Sequence, residues 1–233
     1  MCLDNFYRLY YALMTNFGTK KKVDEINRRN LEKVKNKEGR LIILLHGMFA
    51  NYYRNVYSSI KLLKQEDIDV ISVGYNYNDS LEVSAKKVGK DIESLMKKSG
   101  VKSIDIIGLC GGGLVGRYYA EGLGGSKNID KFISVYSPAK VMPSTELGFK
   151  LNKLLGGKPW KYNSGLREIK DKNSIKDYLL LYSVDDKIIP PKYTKIKGAR
   201  RKKMRGPHLL LSYSPKILKE VANFLREGRM ENV

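Results

Sequence analysis

The chain has 233 residues and carries 44 Lys plus Arg against 24 Asp plus Glu, a formal net charge of +20. That length suits one α/β domain around a buried sheet, and so positive a field favours anionic partners: nucleic acid, acidic lipid surfaces or phosphorylated substrates. Two cysteines, Cys2 and Cys110, exclude a disulfide framework and point to a reducing, cytoplasmic setting. No stretch approaches the roughly 20 apolar residues of a membrane span, and Asp4, Asn5 and Arg8 interrupt any secretory signal, so a soluble or peripheral protein is expected.

Residues 3 to 17 place Leu3, Phe6, Tyr7, Tyr10, Leu13, Met14 and Phe17 at spacings of three and four, the period of a helix with one apolar, aromatic face. With Lys20, Lys21 and Lys22 behind it, such a helix can lie on an anionic membrane, or it can pack on the domain or on a second subunit. A second, charged helix is expected over 23–38. Residues 1–38 thus form an N-terminal helical extension to a main domain over 39–233.

Leu41 to Leu45 is an aliphatic strand ending in His46-Gly47-Met48. A helix over 52–65, a strand over Val70 to Val73 and a helix over Leu81 to Lys98 follow, the last with Val83, Val88, Ile92 and Leu95 available for burial. Ile104, Ile106 and Ile107 make the next strand, and apolar periodicity resumes at Leu114 beyond a glycine cluster. Cys110 sits at the apex of this strand, sharp turn and helix, with Gly108 two residues before it and Gly112 two after. A nucleophile on such a turn has a strained backbone, so its neighbours at plus and minus two must lack side chains. A helix N-terminus there favours an anion on the sulfur.

Phe132 to Tyr136 reads as another strand, ending at Ser137-Pro138. Residues 141–167 break the alternation with scattered leucines, Phe149 and Trp160 among glycines and lysines, consistent with a small cap or lid, or with a surface loop. Tyr178 to Tyr182 is a strand, followed by Val184-Asp185-Asp186-Lys187-Ile188-Ile189-Pro190. Residues 192–205 then carry eight basic side chains and no acid, readable as a solvated edge strand or as a surface that steers anionic substrates or docks on anionic lipid. Pro215 to Leu225 closes the chain as a helix with Ile217, Leu218, Val221, Phe224 and Leu225 inward. Strand and helix alternate throughout, which implies right-handed crossovers and a mostly parallel sheet covered by helices on both faces.

Gly108-Leu109-Cys110-Gly111-Gly112 resembles the nucleophile elbow of the α/β-hydrolases, with cysteine where serine usually stands. The likeness extends over roughly Leu41 to Leu225 and is nearest to small lipases and esterases of the class 2 triacylglycerol-lipase type, whose closing segment resembles Gly198-Ala199-Arg200 followed by His208-Leu209-Leu210-Leu211. The resemblance implies an α/β-hydrolase fold and a catalytic triad of Cys110 as nucleophile, Asp186 as acid and His208 as base, in the chain order expected for that fold. The Asp-x-Ile-Ile-Pro register selects Asp186, with Asp185 as the alternative. It also implies an oxyanion hole from the backbone N–H groups of Met48 and Gly111, and a structural role for His46.

The implied activity is hydrolysis of a carboxylic ester or thioester through a covalent acyl-enzyme. A thiolate leaves a tetrahedral intermediate more readily than an alkoxide, so a cysteine nucleophile suits thioesters, lactones and activated esters. The Gly-x-Cys-x-Gly-Gly elbow also resembles that of dienelactone hydrolases and polyhydroxyalkanoate synthases. Acyl transfer on the same triad is therefore one alternative. An inactive hydrolase fold serving as a basic membrane- or nucleic-acid-binding module is another, with nucleic acid the less favoured partner. The expected substrate is a small acyl ester or thioester and no cofactor is required. Two histidines and two cysteines without ligand spacing make no zinc site, and Gly108 to Gly113 lacks the Lys-Ser/Thr of a phosphate loop.

Overall fold

The structure is a computed structural model that describes residues 19–37, 39–47, 52–76, 79–139, 142, 169, 174–208 and 214–227. The aromatic stretch at 3–17, Met48 and, apart from Met142, the cap expected at 141–167 lie outside the described residues.

Among the described residues six strands form one sheet: β1 (Ile42–Leu45), β2 (Ile71–Val73), β3 (Ile104–Leu109), β4 (Ile129–Val135), β5 (Asp177–Ser183) and β6 (Arg200–Met204). Their spatial order is β2-β1-β3-β4-β5-β6, and every neighbouring pair is parallel. The central strands β1 and β3 are buried along their whole length, which is why they read as uninterrupted aliphatic runs rather than as an alternation. Within them the period of two still decides which core a side chain joins. Ile43 and Leu45 face one apolar cluster with Leu81, Ala85, Val88 and Ile92, while Ile42 and Leu44 face the other with Val56, Leu63, Leu218 and Phe224.

Among the described residues five α-helices cover these faces: α1 (Thr19–Lys35), α2 (Tyr52–Gln65), α3 (Leu81–Ser99), α4 (Gly111–Arg117) and α5 (Pro215–Arg226). Helix α1 lies across the β2 edge and there supplies what a seventh strand would. The Asn27 side chain accepts from the Ser72 N–H at 2.9 Å and donates to the Ser72 carbonyl at 3.0 Å, and Asn30 donates to the Val70 carbonyl at 2.9 Å. Edge groups that would otherwise be unpaired under a helix are thereby satisfied. Helix α3 is bounded by the Ser80 cap on the Val83 N–H and by Gly100 at φ 72°, whose N–H bonds to the Met96 carbonyl.

Four expectations need correction. The second helix is already formed at Thr19 and stops at Lys35, so Lys20 to Lys22 are helical. Strand β4 starts at Ile129, three residues before Phe132. Residues 192–205 are not one strand, since a 3₁₀ turn spans Pro191–Tyr193 and only Arg200–Met204 pairs with β5. Val83 is 52% exposed instead of buried. It stands two residues, about 200° of helical rotation, from the inward stripe of Leu81, Ala85, Val88 and Ile92.

Parallel strands in this order bring their carboxyl ends to one edge of the sheet, the edge at which open parallel sheets bind ligands. The residues that follow there are His46 after β1, Cys110 after β3, Tyr136 after β4, Asp185 and Asp186 after β5, and Arg205 to His208 after β6.

Candidate active site

Cys110 joins β3 to α4 at φ 50°, ψ −116°, a conformation that a residue with a side chain adopts only under strain, on the order of 1–3 kcal/mol. Several groups hold it there. Its N–H donates to the Val135 carbonyl at 2.9 Å, and its carbonyl accepts from the Gly113 N–H at 3.0 Å and from the Ser137 hydroxyl at 2.5 Å. The flanking glycines are required by space. A Cβ on Gly108 would lie 2.5 Å from the Gly113 Cα, and one on Gly112 would press on the Leu45 and His46 carbonyl oxygens. Gly47 also abuts the site, since its added Cβ would be 3.2 Å from the Cys110 Cβ.

The next strand ends in a second strained residue. Tyr136 sits at φ 52°, fixed by its N–H to the Leu181 carbonyl at 2.8 Å, and its ring centroid is 6.1 Å from that of His208. Burial pushes the Tyr136 phenol up from its ordinary value, a hydrogen bond with Ser183 opposes this, and Asp186 and Asp185 add to it.

The loop after β5 separates its two aspartates. Asp185 is exposed and accepts from the Gly206 N–H at 2.9 Å, tying this loop to the one after β6. Asp186 is buried, and its Oδ1 accepts from the Ile188 and Ile189 N–H groups, both at 2.8 Å. The other oxygen, Oδ2, lies 2.7 Å from His208 Nδ1. The Ser183 hydroxyl donates to the Gly206 carbonyl at 2.7 Å, which further positions the turn that carries His208.

His208 is hydrogen-bonded to Asp186 and lies near enough to Cys110 for the two to interact electrostatically. Burial alone would lower its pKa. The hydrogen bond to Asp186 and the interactions with Cys110 and the Asp186 charge outweigh burial and push it up to about 10. The ring therefore rests as an imidazolium between a carboxylate and a sulfur. Cys110, Asp186 and His208, separated by 76 and 22 positions in the sequence, meet at one point of the sheet edge.

His46 is kept apart from this group. Its Nδ1 lies 2.8 Å from the Gly47 carbonyl and its Nε2 3.1 Å from the Tyr75 carbonyl, and its ring stacks on Tyr75 at 4.1 Å. The Tyr75 hydroxyl donates to the His46 carbonyl at 2.6 Å. Burial lowers the His46 pKa, so it stays a neutral strut at the carboxyl end of β1. Gly111 begins α4, and its N–H belongs to the first turn, where no intrahelical acceptor exists.

Gly47, Tyr75, Tyr136 and Ser137 support the site without having been singled out in the sequence. Only the position of Tyr136-Ser137-Pro138 at the end of an aliphatic strand hinted at two of them. Among the described residues no group of three or more His, Cys, Asp or Glu side chains could hold a metal ion.

The sequence profile of the palmitoyl protein thioesterase family matches residues 41–194 of this chain. Among solved structures, a lipase from Bacillus licheniformis in its mature form is similar at a TM-score of 0.67 and 10% identity, covering 80% of this chain and 91% of that one. An extracellular α/β-hydrolase from a Paenibacillus species is similar at a TM-score of 0.62 and 15% identity, over 81% and 98%. An esterase from Exiguobacterium antarcticum has a TM-score of 0.58 at 15% identity, over 81% and 92%. At such identities the likeness speaks for the fold, which is that of the α/β-hydrolases. No curated protein sequence matches the chain.

Proposed function

From the premise that this chain belongs to the palmitoyl protein thioesterase family and is an ester-bond hydrolase, we infer that it hydrolyses acyl thioesters through a covalent acyl-cysteine on Cys110. The observation that carries this is the Asp186–His208 hydrogen bond brought next to Cys110 on a glycine-flanked elbow.

In the first half-reaction the Cys110 sulfur attacks the acyl carbonyl carbon. The Gly111 N–H, with that of Met48 as its partner, receives the developing oxyanion. The intermediate collapses by breaking the bond to the leaving thiol, which takes the proton from the His208 imidazolium. In the second half-reaction His208, now neutral, removes a proton from water as the water oxygen attacks the acyl-cysteine. Expulsion of Cys110 Sγ then releases the carboxylic acid. Asp186 holds the ring so that one nitrogen always faces the sulfur, and its charge stabilises the imidazolium in each cycle.

Cysteine is matched to this substrate class. Exchange of one thioester for another is close to balanced in free energy, so the leaving thiol and Cys110 compete on equal terms. An alkoxide leaving group must instead be protonated on departure or the intermediate reverts to substrate.

Brief exposure to a palmitoyl thioester, followed by intact-mass measurement and mapping of the modified residue, tests the reading. One acyl group on Cys110 is expected. The acyl adduct should be absent from Cys110→Ala, and turnover in His208→Ala should fall by at least ~100-fold. Wild-type turnover rates in Cys110→Ala, or an acyl group mapped elsewhere, would remove the mechanism.

A further inference from the structure

The cations of the segment leading to His208 are not spread evenly in their pairing. At the amino end of β6, Arg200 pairs with Asp177 at 2.8 Å and with Glu227 at 2.6 Å, and Lys202 pairs with Glu220. Arg201 between them bonds instead to the Pro191 carbonyl and the Thr194 hydroxyl, at 3.4 and 3.2 Å. Lys203 and Arg205 are exposed, as are Lys187 in the loop after β5 and Lys192 beside it, and none of the four has an acidic partner among the described residues. The two acids in the loop that carries Lys187 are occupied, Asp185 by the Gly206 N–H and Asp186 by His208.

The same edge presents apolar side chains to solvent. Four large hydrophobic residues are exposed in the described part of the molecule, and two of them, Val184 at 40% and Ile188 at 50%, lie on either side of Asp185, Asp186 and Lys187 in the loop after β5. Protection of an edge strand against aggregation accounts for lysines on β6 but not for bare aliphatic groups on the loop beside it. Cations placed to meet phosphates, with aliphatic side chains placed to enter the layer beneath, fit the interfacial region of a lipid bilayer.

We propose that the rim around the carboxyl ends of β5 and β6, with Val184 and Ile188 as the inserted groups and Lys187, Lys192, Lys203 and Arg205 as the headgroup contacts, docks the molecule on anionic lipid bilayers. Docked so, the edge that carries Cys110 and His208 faces the membrane, and an acyl chain reaches the site without crossing bulk water. The proposal concerns where the molecule sits and goes beyond the chemistry assigned to Cys110, so each can fail without the other.

Vesicle sedimentation of the full chain tests it, with phosphatidylcholine alone and with an added phosphatidylserine fraction, each at low and at raised salt. Binding is expected only to the serine-containing vesicles and is expected to weaken with salt. At about 1 kcal/mol of attraction per cation near the surface, Lys192→Gln with Lys203→Gln should weaken binding roughly thirty-fold while turnover of a soluble p-nitrophenyl ester stays as in wild type. Val184→Ser with Ile188→Ser should weaken binding about ten-fold or more, with circular dichroism confirming the fold. Equal binding to neutral vesicles overturns the proposal. Vesicle binding unchanged in both double variants also overturns it, by assigning docking to another part of the chain. A salt-sensitive gel shift with duplex DNA, without vesicle binding, assigns the charge to nucleic acid and overturns it as well.

Discussion

Two side-chain-bearing residues with left-handed backbone stand at the ends of adjacent strands, Cys110 after β3 and Tyr136 after β4, and each is pinned by a hydrogen bond to the next strand. Strain of this kind persists only where surroundings over-determine it, and here it falls on the residue that lies beside His208. The charge state of that histidine is the most consequential number in the site. Its folded-state pKa of about 10 lies above the ordinary 6.5, so its stabilising contribution is complete below about 6.5 and is lost as pH rises toward 10. Under the mechanism proposed above, activity should follow the same limb, because that mechanism passes the imidazolium proton to the leaving thiol. We expect blank-corrected kcat/KM for a thioester to hold across neutral pH and to fall as pH approaches about 10. Asp186→Asn removes both the hydrogen bond and the negative charge that raise His208. Its alkaline limb should therefore move to lower pH, along with a drop in kcat of at least ~100-fold. An alkaline limb that stays in place in Asp186→Asn would mean that Asp186 does not set the protonation of His208.

At the scale of elements, the amino ends of the strands are organised by a second buried carboxylate. Asp105 on β3 is fully buried, forms an ion pair with Arg40 just before β1, and accepts from the Lys131 N–H of β4 at 3.1 Å. Burial raises its pKa to about 6. Arg40 and the Lys131 N–H oppose this, and Asp130 adds to it. A folded-state value above the ordinary 3.8 means that the charged form is disfavoured by folding. Stability is lost as pH rises from about 3.8 through about 6, on the order of 3 kcal/mol in all. Asn keeps an acceptor for the Lys131 N–H without the charge, so Asp105→Asn should be more stable than wild type at pH above 7 by urea unfolding, with the difference vanishing near pH 4. A variant that is less stable at both pH values would show that the Arg40 pairing outweighs desolvation. Most strands and helices were legible in the sequence because their signals are local, as in the all-aliphatic β1 and the glycines around Cys110. The Asn27 and Asn30 clamp on β2 was not legible. It joins polar side chains to backbone groups 45 and 40 residues away, and nothing in the periodicity of a charged helix marks which asparagine will replace a missing strand. Asp186 was separable from Asp185 only by register against a family pattern. The physical difference between them, two backbone N–H donors at Ile188 and Ile189, exists only once the loop has folded.

On the scale of the whole molecule, the excess of twenty positive charges opposes compaction, because folding brings like charges closer than they stand in the extended chain. The surface ion pairs do not remove this. Pairs such as Lys86–Glu82 and Lys87–Asp91 are exposed and contribute ~0.5 kcal/mol or less each, and pairing every acid would still leave the net charge unchanged. Added salt should therefore stabilise the protein: moving from ~0.02 to ~0.5 M sodium chloride shortens the screening length from tens of ångströms to a few, and the melting temperature is expected to rise by several degrees. Salting-out of apolar surface also raises melting temperatures, but the two causes differ in shape. Screening saturates once the Debye length approaches ~3 Å near 1 M, whereas exclusion effects keep growing with concentration and are stronger for sulfate than for chloride. A rise confined to the dilute range, alike for the two anions at equal ionic strength, identifies relief of self-repulsion. A melting temperature that falls over the same range would mean that the attractive pairs, not the surplus of cations, dominate the electrostatics of the fold.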